Sequence, residues 1–371
     1  MKKYLVISIK NIEEKNWFAI YDTTKNSIML EPTKYLKHKV RERCSPNTIK
    51  HIAYSLSYYF HFLEEMGISI EQVLKMKYAE QHEHFVGFLI WLKDGGHCER
   101  TKVPNNATCN SYLQAVFGYY EFLSFQFEYI DDLKVLENRN INYSSGQGVR
   151  FSRRVKSFRG YLREEHTQGK TIPEENIKKL LEASDSTRNK LLILLLAETG
   201  FRIGEVLGIK YTEDIDFTKG IISITYRENN ENEARAKNAE IRSARISNET
   251  LEILEFYISE NRRILAKSEY LFINLYGKQK GKPLNANAVY SALGLLEKKT
   301  GIKVTPHMLR HYYANERRKS GWSIDKISAS LGHKHIATTE HYMNIESAEM
   351  SEAMEKYYEE NAGLYDISKI I

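Results

Sequence analysis

Two hydrophobic periods divide the chain. Residues 4–9 and 17–21 are apolar, rich in β-branched and aromatic side chains, and separated by a charged turn over 11–16. That pattern predicts a small β element packed on the domain that follows, with an accessory DNA-reading sheet as the other reading. From Ser45 the spacing becomes helical: Ser45-Pro46 supplies a cap and first turn, Ile49, Ile52, Ala53, Leu56, Tyr59, Phe60 and Leu63 recur on one face, and Gly67 ends the run. A second helix carries Phe85, Phe88, Leu89 and Leu92, and a third carries Leu113, Val116, Phe117, Tyr120 and Leu123. Amphipathic helices with short connections predict a compact bundle. The Tyr58-Tyr59-Phe60 stripe reads as core before it reads as a base-stacking surface.

Between 131 and 170 the apolar period fades. Ser144-Ser145-Gly146 is followed by Arg150, Arg153, Arg154, Lys156, Arg159 and Arg163, a composition that predicts a basic linker. Such a run either lies along a phosphate backbone or is a solubilising tether. Helical patterns return over 173–183 and 186–199, with Gly200 as a left-handed stop and a short helix from Ile203 to Leu207. Residues 221–226 and 240–246 read as strands joined by a charged connection over 229–237. Further helices are predicted over 250–265, 285–300, 306–320, 323–331 and about 347–360. The resulting divisions are a β-rich extension (1–32), a helical bundle (33–130), a basic linker (131–170) and a second domain (171–371).

Composition narrows the class. Lys and Arg outnumber Asp and Glu by 54 to 48, which permits nucleic-acid binding without demonstrating it. Lys34 to Lys50 offers basic residues beside the bundle, Lys50 among them, as DNA contacts or as a solvated face. Cys44, Cys98 and Cys109 are scattered, with neither a CxxC pair nor a metal-ligand spacing, which suits a reducing cytosol. The apolar runs are too short for a signal peptide or a membrane span, so the expectation is a soluble cytoplasmic chain.

The chemistry concentrates near the end of the chain. Thr305 is a good N-cap and Pro306 suits the first helical position, so His307 and Arg310 share one face of a helix. A guanidinium fork beside an imidazole makes a phosphate-handling corner, for which Tyr342 is the best nucleophile. Gly200 delivers Arg202 at a corner between two helices, and Gly332 delivers His333 at another. Arg202 with Glu205 also reads as a plain helix-packing ion pair. Lys237 sits near the end of the 229–237 connection, where a hairpin could reach into a groove; Arg235 and Arg242 compete with it and are also candidate DNA contacts, and any of the three reads equally as a solvated cation. His307 and His311, four apart, allow zinc ligation, although the metalloprotease glutamate is replaced by Met308 and helix packing explains His311 more simply.

Read in order, Glu198-Thr199-Gly200-Phe201-Arg202-Ile203-Gly204-Glu205, His307-Met308-Leu309-Arg310-His311, Leu331-Gly332-His333 and Thr338-Thr339-Glu340-His341-Tyr342 resemble the tyrosine recombinases, the phage integrase family. The opening and the Ser45-Pro46-Asn47-Thr48 stretch look closest to integrase-like transposases of bacterial mobile elements. The resemblance implies a mainly α fold with a small β-sheet, in which a helical core-binding domain precedes a catalytic domain. It implies Arg202, Lys237, His307, Arg310, His333 and Tyr342 as catalytic residues, with Glu205 bracing Arg202. It further implies double-stranded DNA as partner, a tetramer on paired sites, accessory proteins that set direction, no cofactor, no metal and no membrane. Bacterial nucleoid association when bound to DNA follows. The family's glycine-rich lysine turn is replaced by Glu231-Asn232-Glu233-Ala234-Arg235-Ala236. Two other activities use the same residues: type IB topoisomerase-like relaxation and dimer resolution. A non-catalytic DNA-binding module would not need Tyr342.

Overall fold

A computed structural model describes residues 3–10, 16–97, 103–127, 133–144, 150–165, 170–227, 230–232, 234 and 242–332. The chain divides into two compact units, the first comprising residues 1–144 and 150–166, the second the remainder. Among the described residues no helix is long and apolar enough to cross a membrane.

In the first unit, β1 (Tyr4–Lys10), β2 (Asn16–Asp22) and β3 (Ser27–Ile28) form an antiparallel sheet in the order β1-β2-β3, with Tyr4 opposite Asp22 and Lys10 opposite Asn16. Helix α1 (Leu30–Arg41) follows, then α2 (Pro46–Met66), α3 (Ile70–Lys75), α4 (Tyr78–Lys93) and α5 (Asn106–Gln126). The sheet is fastened to α2: Ser57 Oγ donates to the Tyr4 carbonyl at 2.7 Å, and Tyr4 Oη donates to Glu64 Oε2 at 3.0 Å. Local chemistry sets the limits of α2. Ser45 Oγ accepts from the Thr48 amide at 3.1 Å, Pro46 occupies the first turn, and Gly67 closes the helix at φ 66°. Helix α1 lies in a stretch whose sequence shows little apolar period. Only Pro32, Tyr35 and Leu36 are buried along it, so a lysine-rich surface masks the helix.

The core of this unit is aromatic. Phe85 meets Phe117 edge to face at 4.8 Å, and Tyr59, Phe88, Tyr120 and Phe158 pack around them. Tyr59 and Phe60 are buried, so they are core side chains. Polar ends inside this core are paired with one another. Tyr59 Oη lies 2.7 Å from Tyr120 Oη and 2.9 Å from His84 Nε2.

The stretch read from the sequence as a basic linker, 131–170, includes two strands among its described residues. Strands β4 (Glu137–Ser144) and β5 (Arg150–Ser157) pair antiparallel in unbroken register, from Glu137 opposite Ser157 to Ser144 opposite Arg150. Asparagines at alternate positions of β4 and three arginines in β5 give the strands a loop-like composition, which hides the period of two. Phe158 then enters the aromatic core, and Asn110 holds the chain beyond it by bonds to the Leu162 carbonyl and amide at 2.8 and 2.9 Å.

The second unit is built around α7 (Thr187–Thr199), whose Leu191, Leu192, Ile193, Leu195 and Leu196 are buried. Before it comes α6 (Glu174–Ala183), and after it α8 (Ile203–Leu207). An antiparallel sheet of β6 (Ile215–Asp216), β7 (Ile221–Ile224) and β8 (Arg242–Arg245) follows in that order. Then come α9 (Asn248–Glu260), α10 (Arg262–Leu265), α11 (Ala286–Thr300), α12 (Pro306–Lys319) and α13 (Ile324–Leu331). Helix α7 packs against both α9 and α12. At the start of α9, Ser247 Oγ caps the Thr250 amide at 3.1 Å while itself donating to Glu198 Oε1 at 2.8 Å. A carboxylate from the last turn of α7 thus fixes the amino end of α9.

Burial of His84 makes the first unit sensitive to acid. Loss of hydration lowers its pKa from 6.5 to about 4, so the native ring resists a proton that the unfolded ring accepts. The contribution of the neutral His84 ring to stability is therefore complete above about pH 6.5 and falls as pH drops toward 4, by up to about 3 kcal/mol. Urea unfolding followed through Trp17 and Trp91 should show this slope, and His84→Gln should flatten it. An equal slope in the variant would assign the acid sensitivity elsewhere.

Candidate active site

The site begins where α7 ends. Gly200 adopts φ 63°, and a Cβ there would lie 2.5 Å from the Tyr313 ring and 2.9 Å from Leu331. Only glycine satisfies both the backbone angle and the close approach. Phe201 is buried next in the chain, and Arg202 follows as the N-cap of α8. Its backbone amide donates to Glu205 Oε2 at 2.6 Å, and its Nη1 donates to Glu205 Oε1 at 3.0 Å. One carboxylate therefore holds both the main chain and the side chain of Arg202.

Glu205 is only 6% exposed. Arg242, the first residue of β8, also pairs with it through Nη2, and its guanidinium stacks 5.1 Å above the Phe201 ring. A carboxylate shared by two guanidiniums recovers by hydrogen bonding much of what burial of the charge costs. Arg242, one of the basic residues that the sequence offers beside the strand pair, thus stands in the site as a partner of Glu205. The side chain is turned inward, because Glu205 and Phe201 together offer it a charge partner and an aromatic face. The alternation along β8 was the available signal, and it does not identify the distant partner.

Helix α12 contributes the second guanidinium. Thr305 caps it by accepting from the Met308 amide at 3.2 Å, and Pro306 sits in the first turn. Arg310 is 2% exposed. Its Nη1 donates to the Gly200 carbonyl and its Nη2 to the Leu331 carbonyl at 2.7 Å. Both acceptors lie at helix C-termini, where carbonyls lack intrahelical donors and the dipole favours a cation. Arg202 Nη2 reaches the neighbouring Gly332 carbonyl at 3.2 Å. The two guanidiniums thus converge on consecutive carbonyls at the end of α13, which Gly332 closes at φ 63°.

His307 lies one turn before Arg310. Its Nε2 is 3.1 Å from Nε2 of the buried His311, with the rings edge to face. Loss of hydration from surrounding protein atoms, reinforced by repulsion from Arg310, lowers its pKa below the usual histidine value. The neutral form of the ring is thereby favoured, and the residue is exposed.

The structure therefore brings Arg202, Glu205, Arg310 and His307 together and adds Arg242. Lys237, Arg235, His333 and Tyr342 lie outside the described residues. The remaining basic candidates belong to the first unit. Lys50 is exposed on α2, Lys156 pairs with Glu121 at 3.6 Å, and Arg159 pairs with Glu137 at 2.7 Å. Arg154 is exposed on β5, while Arg150 and Arg153 are placed on that strand by its register.

Glu205→Ala should destabilise the second unit by about 3–5 kcal/mol, since it leaves Arg202 and Arg242 facing each other without the carboxylate. Glu205→Gln, which can still accept hydrogen bonds, should lose less. A lowered urea midpoint at unchanged m-value would report this. Equal stability of Glu205→Ala and the parent would show the shared carboxylate to be energetically idle.

Residues 170–349 match the phage integrase family. Transposase A from transposon Tn554 of Staphylococcus aureus is 30% identical over 358 residues, covering 94% of this chain and 96% of that protein. Tyrosine recombinase XerA of Pyrococcus furiosus is 34% identical over 192 residues, 51% of this chain and 62% of XerA. Among solved structures, XerH site-specific recombinase bound to palindromic difH aligns with a TM-score of 0.60 at 18% identity, over 88% of each chain. The Tn1549 transposon integrase with transposon right end DNA also gives 0.60, at 15% identity, over 88% of this chain and 98% of that one. At those identities the solved structures speak for the fold. The near end-to-end relative and the family match speak for descent, and on them the chain belongs to the phage integrase family, tyrosine recombinases that cut and rejoin DNA.

Proposed function

We propose that this protein is a site-specific recombinase of a mobile element, which cuts DNA by forming a 3′-phosphotyrosyl link and rejoins it by the reverse step. The observation that carries the reading is the convergence of Arg202 and Arg310 at the end of α13, one residue before His333 in the chain. Two fixed guanidiniums suit the non-bridging oxygens of a phosphodiester and the extra charge of a pentacoordinate phosphorus. Tyr342 Oη attacks phosphorus, the bond from phosphorus to the 5′-oxygen breaks, and Lys237 protonates that leaving oxygen. His307, favoured in its neutral form, accepts the phenolic proton or steadies the phenol by a hydrogen bond. His333 donates to the phosphate. A 5′-hydroxyl then attacks the phosphotyrosyl phosphorus and expels Tyr342, so joining needs neither ATP nor a metal ion.

The near full-length similarity to a transposon's transposase supports transposition or integration over dimer resolution, since XerA matches only about half of the chain. The same family logic supports four subunits on two paired DNA sites, with accessory proteins setting direction.

Tyr342→Phe should bind duplex DNA as the parent does and form no covalent adduct on a nicked suicide substrate, as read on a denaturing gel. An adduct in this variant would move the nucleophile elsewhere. The sequence neighbours of His311 are poor substitutes: Tyr313 is buried, and burial pushes Tyr312 up to about 12.

Lys237→Ala should slow cleavage about 10²–10⁴-fold on an ordinary 5′-oxygen leaving group. The defect should largely vanish with a 5′-bridging phosphorothiolate, whose thiolate leaves unprotonated. Equal loss on both substrates would make Lys237 a backbone contact.

A further inference from the structure

The hairpin β4–β5 carries an arrangement that strand stability does not require. Its register pairs Asn138 with Lys156, Asn140 with Arg154, Asn142 with Ser152 and Ser144 with Arg150. Directly opposed residues share a face and successive residues alternate, so among the described side chains Asn138, Asn140, Ser152, Arg154 and Lys156 form one face of the ribbon. None of these described side chains is acidic or apolar. The hairpin's Ile141, Tyr143, Phe151 and Val155 fall at the intervening positions. Asn138, Asn140, Ser152 and Arg154 are exposed. Asparagine is depleted in strands, so three at alternate positions of one strand need a reason other than pairing.

Their chemistry supplies one. A surface that only tracks phosphates needs cations, because counterion release follows charge, and a neutral amide adds nothing to it. A carboxamide matches the N6 and N7 edge of adenine, a guanidinium matches O6 and N7 of guanine, and serine hydroxyls serve either base. A two-stranded ribbon also fits the major groove. Pairs on one face recur about every 6.8 Å along a strand, roughly twice the 3.4 Å axial rise from one base pair to the next. The root of the hairpin is anchored, through Lys156 to Glu121 on α5, Arg159 to Glu137, and Phe158 in the aromatic core.

We infer that the paired strands β4 and β5 form a base-reading ribbon that sets part of the DNA sequence preference, with Asn140 and Arg154 as its central specificity-determining pair. The inference rests on the reading of the chain as an enzyme acting on duplex DNA. It replaces a linker that follows the backbone with an element that discriminates between bases.

The test is a binding selection from a randomised duplex library, using the full chain, Asn140→Thr and Arg154→Lys. Threonine favours strands, so the first change keeps the hairpin while removing the amide. Lysine keeps the charge while removing the fork. Each variant should lose preference at one part of the selected sequence, with discrimination there falling about 5- to 150-fold and affinity for non-selected duplexes retained. Selection of the parental sequence by both variants would overturn the inference, as would uniform weakening on all duplexes. Nicked copies of the selected duplex separate this from the underlying reading. If the parent forms its covalent adduct while the variants keep the parental preference, the ribbon assignment falls alone. If base preference is lost in the variants but the parent forms no adduct, the ribbon stands and the strand-joining reading falls.

Discussion

Two guanidiniums meet at the end of one helix, and the arrangement of the second unit follows from keeping them there. Arg202 and Arg310 donate to adjacent carbonyls of α13, at Gly332 and Leu331. Like charges so placed need compensation. Glu205 supplies a full negative charge, while the C-termini of α7 and α13 supply partial ones. For those carbonyls to be available, both helices must end sharply, and each does so at a left-handed glycine. The corner is thus specified by where helices stop as much as by which side chains they carry.

The first unit solves a different problem. Its core is so rich in aromatic rings that phenolic and imidazole ends inevitably lie inside it. Joining Tyr120, Tyr59 and His84 into one chain satisfies them in place of water. The amino-terminal sheet and the residues after the β4–β5 hairpin are both fastened to this bundle by side-chain to main-chain bonds, from Ser57 and from Asn110. Segments whose sequences look peripheral are therefore structurally continuous with it.

Local signals were legible in the sequence, and partners distant along the chain were not. The Ser45-Pro46 start and Gly67 stop of α2, the Thr305-Pro306 start of α12, and the stops at Gly200 and Gly332 each act within a turn. Their chemistry could be read from neighbouring residues. Helix α1 and the β4–β5 hairpin escaped because polar residues dominate them, leaving too few apolar positions to reveal a period. Arg242 escaped for another reason. Glu205 lies 37 positions before it, and no pattern around either residue reports that they meet.

Arg310 has a consequence for how its variants are understood. Its guanidinium is also a strut, tied to the ends of two helices that it does not belong to. Removing it deletes a positive charge and at the same time unties α7 from α13, the two elements that deliver Arg202 and Gly332. A slow Arg310 variant would mix missing electrostatics with displaced scaffolding, and its rate alone could not apportion the two. The side chain that looks most like a reagent in this site is also one of its beams, so chemistry and architecture are inherited there as a single trait.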